Sequence, residues 1–447
     1  MNVNRRRFLK STAAGVAGAA VLGSHGVTIA SPYFAADPVK LAIIGIGGRG
    51  FENITELRRE TQSDPSIVQV TALCDVDSGS HSSRGRQTYP QAFFTDDYKR
   101  IIDRNDVEAV LIATPDHTHA VIAAAAIKAG KHVYCEKPLA HDVHEVRTLI
   151  DLAQRHNTVT QMGTQIHAGN NYRRVVEIVQ AGTLGEIRRV KVWQNNRVQR
   201  PGILGQPNAT PPSTLNYDLW LGPVAQRPYS ATYHPFNWRY WWDFGGGILS
   251  DMACHYMDLP HWALNLRRPT SIVAQGRVNY QADSFVPSQL QVDYQYAARE
   301  NLPPVHLTWC HGTGGADLSG QETYRGFRGT ANLTAGVLFE GDKGKLIADY
   351  NNLRLMPEDR FTGFQAPTPT IPNSVGHHKE WLQAIRTGGP TTCNFAYSGP
   401  LAETVQLGNV AYRCGTPLEY DGATGRVTNC PAAEQYLKCE YRKGWTL

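Results

Sequence analysis

Residues 39–50 of the chain are Val-Lys-Leu-Ala-Ile-Ile-Gly-Ile-Gly-Gly-Arg-Gly. The apolar run over 39–46 predicts a buried β-strand, and the pattern of 51–59 predicts a helix after it. A Gly-x-Gly-x-x-Gly motif between a strand and a helix is typical of a dinucleotide-binding turn. Its glycines let the backbone approach a pyrophosphate, and the helix amino terminus stabilises the negative charge.

A second predicted strand, 67–74, ends at Asp75, which lies 25 residues after Gly50. An acid at that position is expected to accept hydrogen bonds from the ribose hydroxyls of the adenosine half. Such an acid disfavours a 2′-phosphate, so the sequence favours NAD. Arg49 and Arg84 keep NADP possible.

Residues 134–138 are Tyr-Cys-Glu-Lys-Pro, and they follow a predicted strand (107–115), helix (119–130) and second strand (131–135). This order places Lys137 at the carboxyl end of a parallel strand, the edge of a doubly wound sheet where ligands bind. Proline ends the strand because it lacks a backbone donor. A solvated Glu-Lys pair at a strand end is the alternative interpretation.

A helix over 142–156 and a strand over 158–162 complete the first domain, so we place its boundary near Gly163. Beyond it, a helix over 169–181 precedes strands with partial alternation and few helices between them. These strands are predicted at 187–194, 271–280, 289–298, 304–311, 336–340 and 345–350. The predicted fold is α/β, with a Rossmann domain over 37–163 and a C-terminal α/β domain over 164–447 that contains an open, mainly antiparallel sheet.

A long irregular segment, 195–247, is rich in tryptophan and tyrosine. Loops of this length are usually functional in compact domains, so the aromatic rings are expected either to face a sugar or to form a local core. The segment ends in three glycines, Gly245 to Gly247, before a predicted helix that carries Asp251 and His255 on one face. This pair can hold a substrate hydroxyl, or it can be a capping acid and a core histidine.

The 447 residues have 41% hydrophobic composition, which predicts two folded domains. The first 36 residues carry Arg5-Arg6-Arg7-Phe8-Leu9-Lys10 and then an Ala/Gly/Val-rich run, a pattern that resembles a twin-arginine export signal cleaved between Ala30 and Ala36. The positive charges in this stretch are Arg5, Arg6, Arg7 and Lys10, and subtracting these four from the net charge of +5 leaves +1. We therefore expect an exported, periplasmic protein with no nucleic-acid partner and no membrane association after processing.

Eight cysteines follow the export signal, and none has the Cys-x-x-Cys spacing of structural zinc. The later four, Cys393, Cys414, Cys430 and Cys439, are the ones that disulfides could join. His117 and His119 are interpreted as capping and loop residues at a helix start. No metal is predicted.

Three motifs in order resemble the Gfo/Idh/MocA oxidoreductases: the glycine turn 45–50, Glu136-Lys137-Pro138, and Gly245-Gly246-Gly247 with Asp251 and His255. The stretches 377–382 and 394–409 look like the exported bacterial branch of that family. Ala253 is a departure, since a glycine is common there. The resemblance implies an open sheet that roofs the nicotinamide, and homo-oligomers, dimers or tetramers.

By position, Lys137, Asp251 and His255 would be catalytic. Cofactor binding is assigned to Gly45, Gly47, Gly48, Arg49, Gly50, Asp75, Thr114, Pro115, His119, Glu136 and Lys137, and substrate binding to His167, Tyr172, Tyr233, His234 and Trp238. The expected activity is NAD(P)-dependent hydride transfer at a secondary hydroxyl of a sugar, polyol or glycoside. The alternatives are a glycoside hydrolase or lyase that recycles a tightly bound NAD, and a sugar-binding protein with a relic Rossmann domain, which the three catalytic residue types disfavour.

Overall fold

A computed structural model describes residues 37–195, 209–278, 286–312 and 333–447. The predicted export signal, residues 1–36, lies outside the described residues. Within the described ranges, no helix is long and apolar enough to cross a membrane.

The first domain is built on six parallel strands. They are β1 (Val39–Ile44), β2 (Val68–Cys74), β3 (Phe93–Thr95), β4 (Ala109–Ile112), β5 (His132–Glu136) and β6 (Thr160–Gly163). Their order is β3-β2-β1-β4-β5-β6, the order of the predicted Rossmann fold. Helices cover both faces, which explains the nearly continuous apolar sequences of β1 and β4. The strand order reverses between β1 and β4, and this places a cleft at their carboxyl ends.

Five helices connect these strands. They are α1 (Gly48–Glu60), α2 (Ser80–Thr88), α3 (Tyr98–Ile102), α4 (Asp116–Lys128) and α5 (Val143–Arg155). Asp142 and Glu145 form a reciprocal capping box at the start of α5, which fixes the path of the chain after the Lys137-Pro138 loop. Helix α4 begins three residues before its predicted start, because the polar turn 116–118 after Pro115 is already helical.

The second domain contains a nine-stranded sheet. Its strands are β7 (Ile187–Gln194), β8 (Ser271–Arg277), β9 (Gln289–Tyr296), β10 (Val305–His311), β11 (Ala335–Gly341), β12 (Lys345–Ala348), β13 (Leu353–Met356), β14 (Leu418–Asp421) and β15 (Arg426–Val427). The order is β13-β12-β11-β7-β10-β9-β8-β14-β15. Only the β7–β10 pair is parallel among these described strands. The prediction of an open, mainly antiparallel sheet is confirmed.

Six further helices follow in sequence. They are α6 (Asn170–Gln180), α7 (Tyr217–Leu221), α8 (Gly247–Ala263), α9 (His377–Thr387), α10 (Phe395–Cys414) and α11 (Glu434–Leu437). Helix α8 packs on β7 and β11, while α10 packs on α8, on β8 and on α5 of the first domain. Helix α8, which carries Asp251 and His255, is therefore held at the junction of the two domains.

Two features of the second half differ from the sequence-based expectation. Helix α10 is buried on most of its surface, so it lacks the polar stripe that marks a surface helix. It also contains Gly399, Pro400 and Gly408, which are unfavourable residues for a helix interior. Helix α9 returns to the first domain, where Trp381 and Leu382 join the core behind β1. The predicted boundary near Gly163 coincides with the end of β6, but packing crosses it.

All eight cysteines lie in the described ranges, and each is a free thiol. Cys393 is fully buried, whereas Cys414, Cys430 and Cys439 are partly accessible. Burial and the neighbouring thiol of Cys430 raise the pKa of Cys414 to about 11. This structure therefore contains no disulfide bond among Cys393, Cys414, Cys430 and Cys439, because all four are free thiols.

Candidate active site

A cavity of about 680 Å³ lies at the carboxyl ends of β1, β2, β4 and β5, where α8 and the aromatic segment face the parallel sheet. Most of the predicted site residues line it. They are Gly45, Gly47, Gly48, Arg49, Asp75, Thr114, Pro115, His119, Glu136, Lys137, His234, Trp238, Asp251 and His255. One cavity thus collects residues that are far apart in the sequence and that belong to both domains.

The glycine turn between β1 and α1 forms one wall of this cavity. Gly45 (φ +81°) and Gly48 (φ +43°) adopt conformations that residues with side chains rarely adopt. Gly50, predicted to bind the cofactor, does not line the cavity; a Cβ there would lie 1.8 Å from the carbonyl oxygen of Gly45, so its role is close helix–strand packing. Within the described chain no side chain caps α1, so its first amide groups remain available to an anion.

Asp75 lies at the end of β2, and its carboxylate supports the glycine turn. Oδ2 accepts hydrogen bonds from the amides of Ile46 (2.9 Å) and Gly47 (3.3 Å), and Oδ1 accepts one from the amide of Asp77 (3.0 Å). Burial raises the pKa of Asp75, although these backbone donors oppose the shift. Carboxylate oxygens have further acceptor capacity, so the same group can also meet a ribose hydroxyl in the cavity.

Arg49 is held by carboxylates, although it also lines the cavity. Its Nε lies 3.0 Å from Glu136 Oε1, and its terminal nitrogens lie 3.0 Å from Glu52 Oε2 and 2.9 Å from Glu56 Oε2. Burial alone would raise the pKa of Glu136, but Arg49 and Lys137 outweigh burial and lower it to about 2. The charge of Arg49 is therefore balanced within the protein.

Thr114, Pro115 and His119 form the wall at the end of β4. The His119 ring bridges two backbone carbonyls, with Nδ1 2.8 Å from Pro138 O and Nε2 2.8 Å from Thr114 O. Burial lowers the pKa of His119 in spite of these acceptors. The ring thus joins the end of β4 to the Lys137-Pro138 loop and positions the lysine.

Lys137, Asp251 and His255 meet in the cavity from opposite domains. Lys137 Nζ donates to Asp251 Oδ1 at 2.8 Å and also to the backbone carbonyl of Asp251. Among the described residues, the buried Nδ1 of His255 has no hydrogen-bond partner. Burial, and then the charge of Lys137, lower the pKa of His255 to about 3. The imidazole is therefore neutral at neutral pH, and its lowered pKa makes it a weaker base than an exposed histidine.

Five charged residues that line the cavity were missed from the sequence: Glu52, Glu56, Asp96, Asp116 and Arg239. Of these, Asp116 and Arg239 interact with the Lys137–Asp251 pair. Asp116 is the first residue of α4 and only 5% exposed; burial raises its pKa to about 7, while Arg239 and Lys137 oppose the shift. Arg239 Nε lies 3.5 Å from Asp251 Oδ1. Asp116 lies four residues after the end of β4, on the sheet edge that also carries Lys137, and this position was the available signal for it.

Asp116→Asn is expected to stabilise the protein at high pH. A carboxyl with a pKa of about 7 in the folded state and 3.8 in the unfolded chain favours folding below pH 3.8, and this contribution is lost as the pH rises towards 7. The melting temperature of the variant should exceed that of the wild type by several degrees at pH 8 and equal it near pH 4. The control is Asp359→Asn, which changes an exposed acid. An equal difference at both pH values would contradict the prediction.

Residues 196–208 of the aromatic segment lie outside the described residues, and residues 209–247 contain a local core that presents one edge to the cavity. Its buried cluster consists of Leu215, Trp220, Leu221, Tyr229, Tyr233, Trp238, Tyr240, Trp241 and Phe244. Trp238 and His234 line the cavity, as do Trp220 and Phe236, which were not predicted. Burial lowers the pKa of His234 to about 4. The structure confirms the local core, and the interpretation that the rings face a sugar stays a prediction.

Three residues predicted to bind substrate do not line the cavity. His167 is buried below it, where Nδ1 lies 2.9 Å from Asp258 Oδ2. Tyr172 is buried and donates its hydroxyl to the carbonyl of His255 at 3.2 Å. Tyr233 lies inside the aromatic core. His167 and Tyr172 hold α8 in place, and neither lines the cavity in this structure.

The cavity contains hydrogen-bonding groups that can bind a dinucleotide. The uncapped amide groups of α1 offer an anion site, and Asp75 lies next to it on β2. Within the described ranges, no group of three or more histidine, cysteine, aspartate or glutamate residues is arranged to hold a metal ion. Near Lys137, the titratable side chains of His255, Asp116 and Asp251 line the cavity.

Comparisons with known proteins agree with this geometry. The model described as "Oxidoreductase family, NAD-binding Rossmann fold" matches residues 39–164, and "Oxidoreductase family, C-terminal alpha/beta domain" matches 169–301. Both belong to the Gfo/Idh/MocA family. Together they cover more than half of the chain.

The individual proteins to which the chain is similar share low sequence identity with it. The chain is 26% identical over 211 residues to a glycosyl hydrolase family 109 protein of Shewanella sp. and to an alpha-N-acetylgalactosaminidase of Shewanella oneidensis. Each match covers 42% of this chain and 44% of the relative, less than half of that protein's length. A structure of levoglucosan dehydrogenase with NADH and levoglucosan superposes with a TM-score of 0.58 at 18% identity, covering 86% of this chain and 99% of that one. The two family matches, over a Rossmann domain and the mixed-sheet domain that completes its cavity, show that the chain belongs to the NAD-binding Gfo/Idh/MocA oxidoreductase family.

Proposed function

We propose that the protein transfers a hydride between a nicotinamide cofactor and a secondary hydroxyl of a sugar, polyol or glycoside. The observation that carries this proposal is the meeting of Lys137, Asp251 and His255 in one cavity with the glycine turn. Deprotonation of an alcohol requires a base, for which the neutral imidazole is a candidate, and the amine can stabilise the negative charge that develops on the oxygen. The aromatic wall formed by Trp220 and Trp238 suits the apolar C–H faces of a sugar ring.

The amide groups of α1 would hold the pyrophosphate, and Asp75 would accept from the adenosine ribose. When bound, the nicotinamide supplies the hydride acceptor or donor. NAD is favoured over NADP because Arg49 is balanced by carboxylates. Arg84 lies 3.9 Å over the ring of Phe51 and is not part of the cavity lining.

Each polar residue of the cavity has a distinct task in this proposal. His255 accepts the hydroxyl proton, since its neutral imidazole faces the cavity. Lys137 donates a hydrogen bond to the same oxygen and stabilises its developing negative charge. Asp251 orients the lysine and balances its charge. Asp116, whose pKa is about 7, is a second proton acceptor near neutrality.

The second candidate is a glycoside hydrolase in which bound NAD would oxidise the sugar transiently and the aglycone would be eliminated. Water would then add to the resulting double bond, and the NADH formed in the first step would reduce the ketone again. Similarity to the family 109 proteins favours this function. The elimination step needs a base for the proton beside the transient ketone. Tyr233 cannot serve, because it is buried in the aromatic core, whereas His234 and Asp116 line the cavity.

Stoichiometry separates the two functions. We expect oxidation of free sugars or polyols to proceed only when a hydride acceptor is supplied, one equivalent for each sugar oxidised. The assay incubates the protein with sugars and aryl glycosides in heavy water, with and without acceptor. Sustained aglycone release without acceptor, with deuterium beside the oxidised carbon, would replace the dehydrogenase proposal with the hydrolase. No turnover on any substrate under either condition would overturn both.

We also propose that the protein is exported by the twin-arginine route and assembles into a homo-oligomer. The Arg5-Arg6-Arg7-Phe8-Leu9-Lys10 pattern supports export, and the family resemblance supports assembly through the open sheet. A cofactor inserted before export and then recycled fits a compartment in which free NAD is scarce. Cell fractionation of the wild type beside an Arg5/Arg6/Arg7→Lys variant tests the route, and light scattering of the mature protein tests the assembly.

A further inference from the structure

We propose that the segment 439–447, called here the strap, closes the adenine end of the cavity and that Trp445 and Tyr98 form the aromatic contact for the adenine ring. Trp445 lines the same cavity as the glycine turn, although it lies more than 300 residues beyond that turn in sequence. Tyr98 and Asp96 line the cavity beside it. The proposal assigns a cofactor-retaining role to residues outside the three family motifs.

The position of Trp445 identifies the part of the cofactor that it would contact. Asp75 ends β2, and β2 pairs with β3 next to it, with Cys74 opposite Thr95. In this fold the ribose acceptor lies at the end of the second strand, so the adenine extends towards the third strand and the helix after it. Tyr98 is the first residue of that helix, and its ring lies 6.1 Å from Trp445, centroid to centroid, at 33°.

The strap is fixed to both domains. Arg442 donates from Nε to the carbonyl of Gly222 at 2.6 Å and from a terminal nitrogen to Asp218 Oδ1 at 2.6 Å. The amide of Cys439 donates to Asp142 Oδ2 at 2.8 Å, at the amino terminus of α5. Because these anchors lie on α7 and α5, the strap spans from the second domain to the Rossmann domain.

Two cations hold the indole in place. Lys99 Nζ lies 5.3 Å from the centre of the Trp445 ring, and the Arg442 guanidinium carbon lies 5.7 Å from it. Cations near an indole face favour a fixed ring orientation. The half-buried ring then offers a preformed aromatic surface to the cavity, and a flat adenine can stack on such a surface. For the nucleotide to leave by this end, the strap has to move.

The test measures nucleotide binding without turnover. Trp445→Ala should accelerate NADH dissociation, followed by fluorescence after dilution into excess NAD, by about ten-fold or more, a typical loss when an aromatic–base stack is removed. Trp445→Phe should recover most of the slow dissociation because it keeps a ring. The matched control is Trp242→Ala, since Trp242 is also half-buried and lies outside the cavity lining.

Fragments of the cofactor locate the contact. Calorimetry should show that Trp445→Ala weakens ADP-ribose and AMP about as much as NAD, while nicotinamide mononucleotide binds as it does to the wild type. Dissociation within two-fold of the wild type, an equal effect of Trp242→Ala, or a comparable loss for nicotinamide mononucleotide would each overturn the proposal. A wild type that binds no NAD(H) would overturn it as well. None of these outcomes depends on which reaction the site performs.

Discussion

Lys137→Met is expected to lower kcat by about 1000-fold or more, while the affinity for NAD changes by less than about three-fold. Methionine keeps the length and the apolar stem of lysine but removes its three donors. Asp251 then loses the 2.8 Å ion pair with Nζ, and the substrate oxygen loses its cationic donor at the moment when negative charge develops. Steady-state kinetics and calorimetry with NAD separate the two effects.

Lys131→Met is the matched control, because Lys131 precedes the amino end of the same strand, β5. Its Nζ is also buried and donates to the carbonyls of Arg104 (2.8 Å) and Val107 (2.9 Å), far from the cavity lining. This variant should lower the melting temperature and leave kcat nearly unchanged. If kcat of Lys137→Met stays within ten-fold of the wild type, the catalytic assignment of Lys137 is wrong.

Asp75→Ala is expected to weaken NAD binding by about 100-fold, near the upper end of the range for leaving buried hydrogen-bond partners unpaired. The large effect has two physical causes. The ribose hydroxyls lose their acceptor, and the amides of Ile46 and Gly47 lose the carboxylate that fixes the glycine turn. Calorimetric titration of NAD measures the affinity, and a melting curve verifies that the variant is folded.

Asp77→Ala provides the comparison, because Asp77 lies only two residues away and does not line the cavity. Its carboxylate accepts from the amide of Gly79 at 2.8 Å and supports the start of α2. Its loss should change NAD affinity by less than about three-fold, since Asp77 does not line the cavity and lies 3.9 Å from the cavity residue His234. An affinity loss that is larger for Asp77→Ala than for Asp75→Ala would transfer the ribose contact to Asp77.

Most of the first domain could be predicted because its strands and turns are marked by patterns among neighbouring residues. Continuous apolar runs mark strands that are buried on both faces, and the glycines are required by backbone geometry at β1 and α1. The open second sheet was also predicted, from the alternation along β7 to β12. Helix α10 could not be predicted in this way, since burial on most sides removes the periodic polar stripe on which helix prediction depends.

Site residues could be predicted where a local sequence pattern positions them, and could not be predicted where tertiary contacts position them. Lys137 and Asp75 could be placed from sequence because strand ends of a parallel sheet share one edge. The positions of His167 and Tyr172 could not be predicted, because the local sequence does not show whether a polar side chain will face a cavity or a buried partner. Trp445 and Arg239 are further cases, since their contacts with the cavity arise only when distant segments fold back onto it.

By itself, the sequence determined the nucleotide-binding turn, the parallel sheet behind it, and the residue types available for proton transfer. These follow from strand and helix periodicity, from glycine conformations and from motif order, all of which are properties of neighbouring residues. The tertiary structure alone decided that Lys137 pairs with Asp251, that Asp116 is buried beside them, and that Trp445 lines the cavity. The physical reason is that a pKa, an ion pair or a cavity wall depends on groups brought together in space, and packing of α8, α10 and the strap brings these groups together.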